Sequence, residues 1–326
     1  MEQTIGYCQA PDGVTIAYAV AGSGPPLVRT GMWFTHLEEE LTGNSFLALW
    51  EALAQHFTLI RYDMRGTGLS QRNIAEYSEK QLVDDHVAVL NATGHESSDI
   101  IGFSQGAIVA WLVAEAKPGM VQRIVTIGGY DVGVAHRPKP CGGSEVVETF
   151  ASLIRTGWGS EDPSMRSVFS NQFMPSASKE ALEWFGNFQK ASSTADIAER
   201  NFRYFANVDL SERVKNIKHS HLLIHSSGDR RVPVSIARQL SAKLINVKLV
   251  EISSDDHVPD KSTEDRVKLF DALSGYLEVQ IKENKSERIS SALDNSVKKI
   301  ESNRWFKIAV IVGVLITLVS AVTLLL

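Results

Sequence analysis

The chain predicts an α/β fold: a doubly wound, mostly parallel sheet, interrupted by a helical insertion and followed by an apolar terminal helix. Three observations carry this. Short apolar runs alternate with helix-length amphipathic segments over the first 280 residues or so, as a parallel sheet with crossover helices demands. The alternation stops once, from about 133 to 210, where only helical periodicity appears. Ile308–Leu326 then runs through nineteen residues without a charge.

Taken in order, Thr4–Gln9 and Val14–Ala21 flank Pro11-Asp12-Gly13, a turn sequence, and form a hairpin. Leu27–Arg29, Leu59–Tyr62, Asp99–Phe103, Ile124–Ile127, His221–His225 and Lys248–Ile252 bring the strands to eight. Helices fit between them at about 45–56, 79–92, 105–116, 234–243 and 263–279. The insertion holds helical segments around 144–156, 163–173, 178–191 and 194–206. The chain therefore divides into a core of 1–132 and 211–279, a helical cap of 133–210, a polar stalk of 280–304 and a tail of 305–326. The cap is rich in aromatics, among them Phe173, Trp184, Phe185 and Phe202. Most must pack the inner face of the cap, and an apolar lid favours apolar acyl or aromatic substrates.

Ser104 is the candidate nucleophile. It stands at the centre of Gly102-Phe103-Ser104-Gln105-Gly106, directly after the apolar run Asp99-Ile100-Ile101 and directly before Ala107-Ile108-Val109-Ala110-Trp111. A serine between strand and helix sits on a sharp turn that lifts its hydroxyl above the sheet, and small flanking residues let the chain approach closely there. The helix that follows aims its first N–H groups at a developing oxyanion. A serine is a poor nucleophile at its own pKa and needs a base, itself oriented by a carboxylate.

The partners are expected downstream in the order acid, then histidine. Asp229 ends the apolar strand His221-Leu222-Leu223-Ile224-His225 in a Gly-Asp turn before Pro233. Asp131, after Gly128-Gly129-Tyr130, is its rival for the same role, and a helix N-cap is the structural reading of Asp229. His257 follows the last strand in a polar loop, Ser253-Ser254-Asp255-Asp256-His257. His225 lies inside a strand and reads as a hydrogen-bonded core residue, with His219 and His221 structural beside it.

On these residues the chain resembles the α/β-hydrolase family, and Asp63-Met64-Arg65-Gly66-Thr67-Gly68-Leu69-Ser70 matches that fold's D-x-R-G-x-G-x-S turn. More narrowly, it is similar to bacterial α/β-hydrolase domains often fused to adenylate cyclase or LuxR-type regulator domains. That likeness is carried by Pro25-Pro26-Leu27-Val28, Trp33-Phe34-Thr35-His36-Leu37-Glu38, Gly128-Gly129-Tyr130 and Trp158-Gly159-Ser160-Glu161-Asp162-Pro163. Many relatives carry His-Gly after the third strand, whereas here Leu27-Val28-Arg29 leads into Thr30-Gly31-Met32-Trp33. The resemblance implies an oxyanion hole from the backbone N–H of Gln105 and of Met32, with Trp33 one register away. His36 and Glu38 either line the pocket mouth or hold their loop in place.

Composition narrows the field. Of 326 residues, 44% are hydrophobic and 22% charged, ordinary values for a folded enzyme. The net charge is −5 and the first 280 residues hold no basic block, so nucleic acid is not an expected partner. Cys8 and Cys141 are too few and too isolated for a metal site or a disulfide framework, and no cofactor motif stands out. Met1-Glu2-Gln3-Thr4 has neither the basic region nor the apolar run of a signal peptide.

At the other end, Ile308–Leu326 would span roughly 28 Å as a helix, close to a bilayer's hydrocarbon thickness. Trp305 sits at the expected interface, and Lys298, Lys299, Arg304 and Lys307 put positive charge upstream. This reads as a tail anchor that places the catalytic domain in the cytoplasm. In the stalk, Ile289, Leu293, Val297 and Ile300 form one narrow apolar stripe, able to lie on a membrane or pair with a copy of itself.

The sequence therefore leads to a membrane-tethered serine hydrolase acting on an ester, thioester or lactone of a small, apolar substrate. A cofactor-free perhydrolase or carbon–carbon bond hydrolase would use the same three residues. The alternative from another class is a ligand-binding, sensory protein without turnover.

Overall fold

The computed structural model describes residues 1–139, 141–258 and 263–281, so the tail and nearly all of the expected stalk lie outside the described residues. The strands are β1 (Thr4–Gln9), β2 (Thr15–Ala21), β3 (Pro26–Arg29), β4 (Thr58–Tyr62), β5 (Ser98–Phe103), β6 (Val121–Ile127), β7 (Ser220–Ser226) and β8 (Asn246–Ile252). They form one sheet in the order β1-β2-β4-β3-β5-β6-β7-β8. The β1–β2 and β2–β4 pairs are antiparallel, and every pair beyond them is parallel. β6 starts at Val121, three residues before the expected Ile124. Gln122 and Arg123 hide its apolar period, because Arg123 reaches across to Asp99 on β5.

The helices are α1 (Asn44–Ala54), α2 (Glu79–Ala92), α3 (Gln105–Ala116), α4 (Ser144–Gly157), α5 (Pro163–Phe173), α6 (Lys179–Ser192), α7 (Ala195–Ala206), α8 (Val234–Lys243) and α9 (Thr263–Leu277). Polar side chains start several of them: the Ser78 hydroxyl accepts from Gln81 N, Ser178 from Ala181 N and Thr194 from Ile197 N. α3 is buried over its first ten residues, which is why Ala107 to Ala114 show no polar stripe. β5, buried at every position, lies beneath it. Helices α4 to α7 occupy the interval between β6 and β7.

Chain direction fixes where a ligand can sit. From β3 the sheet continues to β4 on one side and to β5 on the other. The loops leaving the C-terminal ends of β3 and β5 diverge there and leave a crevice, the usual binding position in an open parallel sheet.

The D-x-R-G-x-G-x-S turn anchors the β3 loop. Asp63 Oδ2 accepts from Leu37 N (3.2 Å) and Leu69 N (2.7 Å), and the Thr35 and Thr67 hydroxyls lie 2.8 Å apart. Ser70 Oγ donates to Asp63 O, and Arg65 pairs with Asp85. Beneath the same loop, Glu40 is buried between Arg29 and Arg61. A buried carboxylate held by two guanidiniums is costly to break, which fastens the loop to β3 and β4.

The compact unit runs from Met1 to Ile281, two residues past the expected end of the core. Ile281 is buried, and its N–H donates to Ser274 Oγ at 3.0 Å. Among the described residues no helix is long and apolar enough to cross a membrane.

Candidate active site

Ser104 follows β5 directly and heads α3. Its backbone stands at φ 50°, ψ −113°, where a residue with a side chain is strained by about 1–3 kcal/mol. Two glycines make that turn possible. A Cβ on Gly102 would come within 2.5 Å of Gly106 O, and one on Gly106 within 2.6 Å of Thr30 Oγ1. The strain is held in place by backbone bonds, Ser104 N donating to Ile127 O and Ala107 N to Ser104 O.

The loop after β8 carries His257, and the loop after β7 carries Asp229. His257 Nδ1 lies 2.6 Å from Asp229 Oδ2. The other carboxylate oxygen accepts from Arg231 N (2.8 Å) and Val232 N (2.9 Å), so both oxygens are held. Burial pushes the Asp229 carboxyl up, but the neighbouring imidazole of His257 and these hydrogen bonds outweigh it and hold the group below the usual carboxylate range. With Nδ1 donating to the carboxylate, Nε2 is left as the acceptor. Nε2 is buried and carries no hydrogen bond, and His257 shares the lining of one cavity with Ser104. Bonds of this kind often tighten only when substrate is present.

The rival acid is occupied elsewhere: Asp131 Oδ2 is 2.6 Å from Lys243 Nζ. Asp229 does not cap α8, whose N-cap is Pro233. His225 is a buried strand residue with Nε2 2.7 Å from Val232 O. His36 and Glu38 do not line the cavity. Glu38 is exposed, and His36 Nδ1 accepts from Glu39 N, which leaves the loop-holding role.

The cavity at Ser104 has a volume of about 310 Å³. Trp33, Phe34 and Phe103 wall it from the sheet side, with Phe173, Trp184 and Phe185 from the helical insertion. Met32 also lines it, and among the described residues the amides of Met32 and Gln105 carry no hydrogen bond. Trp33 is tied into the insertion instead, its indole N–H donating to Ala198 O at 2.9 Å. Thr30 Oγ1 donates to Gly106 O (2.8 Å), fastening the β3 loop to the turn that bears Ser104.

A second, smaller cavity of about 30 Å³ also reaches Ser104, and Gln105, Tyr130, Arg137 and Arg231 line it. Nothing in the sequence marks the two arginines. Among the described residues no group of His, Cys, Asp and Glu could hold a metal ion.

Comparison with known proteins agrees with this architecture. The family described as alpha/beta hydrolase fold matches residues 39–259. The chain is similar to a pyrrolizixenacetamide deacetylase of Xenorhabdus hominickii, 25% identical over 226 residues that cover 69% of this chain and 81% of that protein. Among solved structures it is similar to an esterase from Exiguobacterium antarcticum, with a TM-score of 0.71 at 19% identity over 83% of this chain and 98% of the other. It is similar too to an enol-lactonase from Burkholderia xenovorans, with a TM-score of 0.68 at 19% identity over 82% of this chain and 100% of the other.

Proposed function

The chain belongs to the α/β-hydrolase family, and from that premise we propose that it is a serine hydrolase that cleaves an ester, thioester or lactone through an acyl-enzyme. One observation carries the reading: a strained Ser104 lines the same cavity as His257, whose ring is held by Asp229 at 2.6 Å. Ser104 Oγ attacks the carbonyl carbon as His257 Nε2 takes its proton. Asp229 keeps the imidazole in the tautomer this needs and stabilises the imidazolium. The N–H groups of Gln105 and Met32 receive the oxyanion, His257 returns the proton to the leaving group, and water then releases the acid by the same route.

The walls of the larger cavity support an apolar body for the substrate. The uncharged run Ile308–Leu326 and its basic upstream flank support a membrane tether with the catalytic domain on the cytoplasmic side. The test is labelling by a fluorophosphonate probe. Wild type should label and Ser104→Ala should not, with turnover on p-nitrophenyl butyrate falling by roughly three orders of magnitude or more. Undiminished turnover in a clean Ser104→Ala preparation refutes the assignment.

A further inference from the structure

Arg231 is a half-buried cation set among aromatic rings. Its guanidinium lies 4.4 Å from the ring centre of Phe150, 5.6 Å from that of Phe202, 5.7 Å from that of Phe173 and 5.8 Å from that of Trp33. Those ring faces favour a cation but do not use its five N–H donors. Among the described residues the side chain makes no hydrogen bond and no ion pair. The neighbouring carboxylate, Asp229, is already committed to His257 and to two backbone amides. Arg137 adds a second cation to the same small cavity, stacked over Tyr130 at 4.6 Å. Among the described residues no acidic side chain lines that cavity. Burial pulls the Arg231 guanidinium down to about 10, and the nearby Arg137 charge adds to this. It still carries its charge at neutral pH.

A second observation points the same way. Gln105 is 5% exposed and lines this cavity, and among the described residues its side-chain amide makes no hydrogen bond, so its Nε2 donors are unspent. A guanidinium and an amide N–H group with unused donors, gathered beside the nucleophile, are what an anionic ligand group would satisfy. The volume of about 30 Å³ admits a group of carboxylate size, since one water needs roughly 10–15 Å³.

We propose that Arg231 anchors a carboxylate on the substrate, so that the scissile carbonyl at Ser104 lies between an apolar body in the larger cavity and an anionic end in the smaller one. This rests on the hydrolase reading above. The enzyme is then selective for amphipathic half-esters or lactone acids over wholly apolar esters.

The experiment uses full-length protein in detergent and two matched substrate pairs. One pair carries the carboxylate on the acyl chain, mono-p-nitrophenyl glutarate against p-nitrophenyl pentanoate. The other carries it on the alcohol, butyryloxyacetate against ethyl butyrate. In wild type at least one pair should favour the anionic member by about 10-fold or more in kcat/KM, the scale of a hydrogen bond to a charged group. In Arg231→Gln that ratio should fall toward one, and Arg231→Lys should keep part of it. A ratio of one or less in both pairs, with neutral esters still cleaved and Ser104 still labelled by fluorophosphonate, overturns this inference and leaves the hydrolase reading standing. Failure to label or to cleave any ester removes both. A strong preference that survives in folded Arg231→Gln overturns the assignment to Arg231. If Arg231→Gln does not fold, Arg231→Lys decides: an unchanged ratio overturns the proposal and a reduced one upholds it.

Discussion

Asp229 Oδ2 lies 2.6 Å from His257 Nδ1, while the carboxylate of Asp131, which also follows a strand, lies 2.6 Å from Lys243 Nζ. Two acids that compete on paper for one role are separated by what each one touches. Asp229→Asn should lower kcat by about 10³–10⁴-fold, because an amide holds the imidazole in the wrong tautomer. Asp131→Asn should leave kcat within a few-fold and cost about 1–2 kcal/mol of stability through loss of a largely buried ion pair. Steady-state kinetics and thermal melts of both variants check this, and the reverse ranking would move the acid to Asp131.

Buried histidines give a pH prediction. His86 is fully buried, neither ring nitrogen has a hydrogen-bond partner, and burial pulls its pKa down to about 4. The unfolded imidazole takes its proton near 6.5, so the neutral ring supports the fold above that pH. The contribution is lost as pH falls from 6.5 toward 4, about 2 kcal/mol of it by pH 5. Asp85, pushed up to about 6 chiefly by burial, works in the opposite direction over much of the same range. The comparison is therefore between variant and parent: His86→Leu should lose less stability between pH 7 and pH 5 than wild type. Equal losses in urea melts at the two pH values would show that His86 titrates normally.

Trp184 shapes the larger cavity. Its ring stacks on Phe188 at 5.3 Å, and its indole N–H donates to Thr42 Oγ1 at 2.8 Å, closing the wall. Trp184→Ala should open that wall and raise kcat/KM for decanoyl over butyryl esters by roughly tenfold relative to wild type. An unchanged chain-length profile would place the acyl chain elsewhere.

Truncation tests both the folded unit and the tail. Ending the chain after Ile281 should release a soluble domain with unchanged turnover on water-soluble esters. Ending it after Tyr276 removes Leu277 and Ile281, each buried and each worth about 1.5–3 kcal/mol, and should lower Tm markedly. Full-length protein should remain with membranes through carbonate washing. Recovery of the full chain in the soluble fraction without detergent would count against the tether.

Ser104, Asp229 and His257 were legible because each stands just past a strand whose apolar period shows in the sequence. Distance along the chain was therefore a good proxy for position at the sheet edge. Arg231 was not legible, since its aromatic surroundings come from residues 33, 150, 173 and 202, which only tertiary packing brings together. Arg29, Glu40 and Arg61 were hidden for a related reason. Charged residues are expected outside, and nothing local reveals that these three pair with one another within the core. Ile281 escaped notice because a single apolar residue after a helix carries no period.

His257 is held from above as well as from the sheet. Its backbone N–H donates to Phe173 O at 2.8 Å, at the last residue of α5, and the two rings meet edge to face at 5.7 Å. The loop that carries the imidazole is thus fastened to two layers at once, the sheet through Asp229 and the helical insertion through Phe173. Any change in α5 is therefore a change at the ring of His257 as well, and substitutions in the insertion are expected to register at a side chain they do not touch.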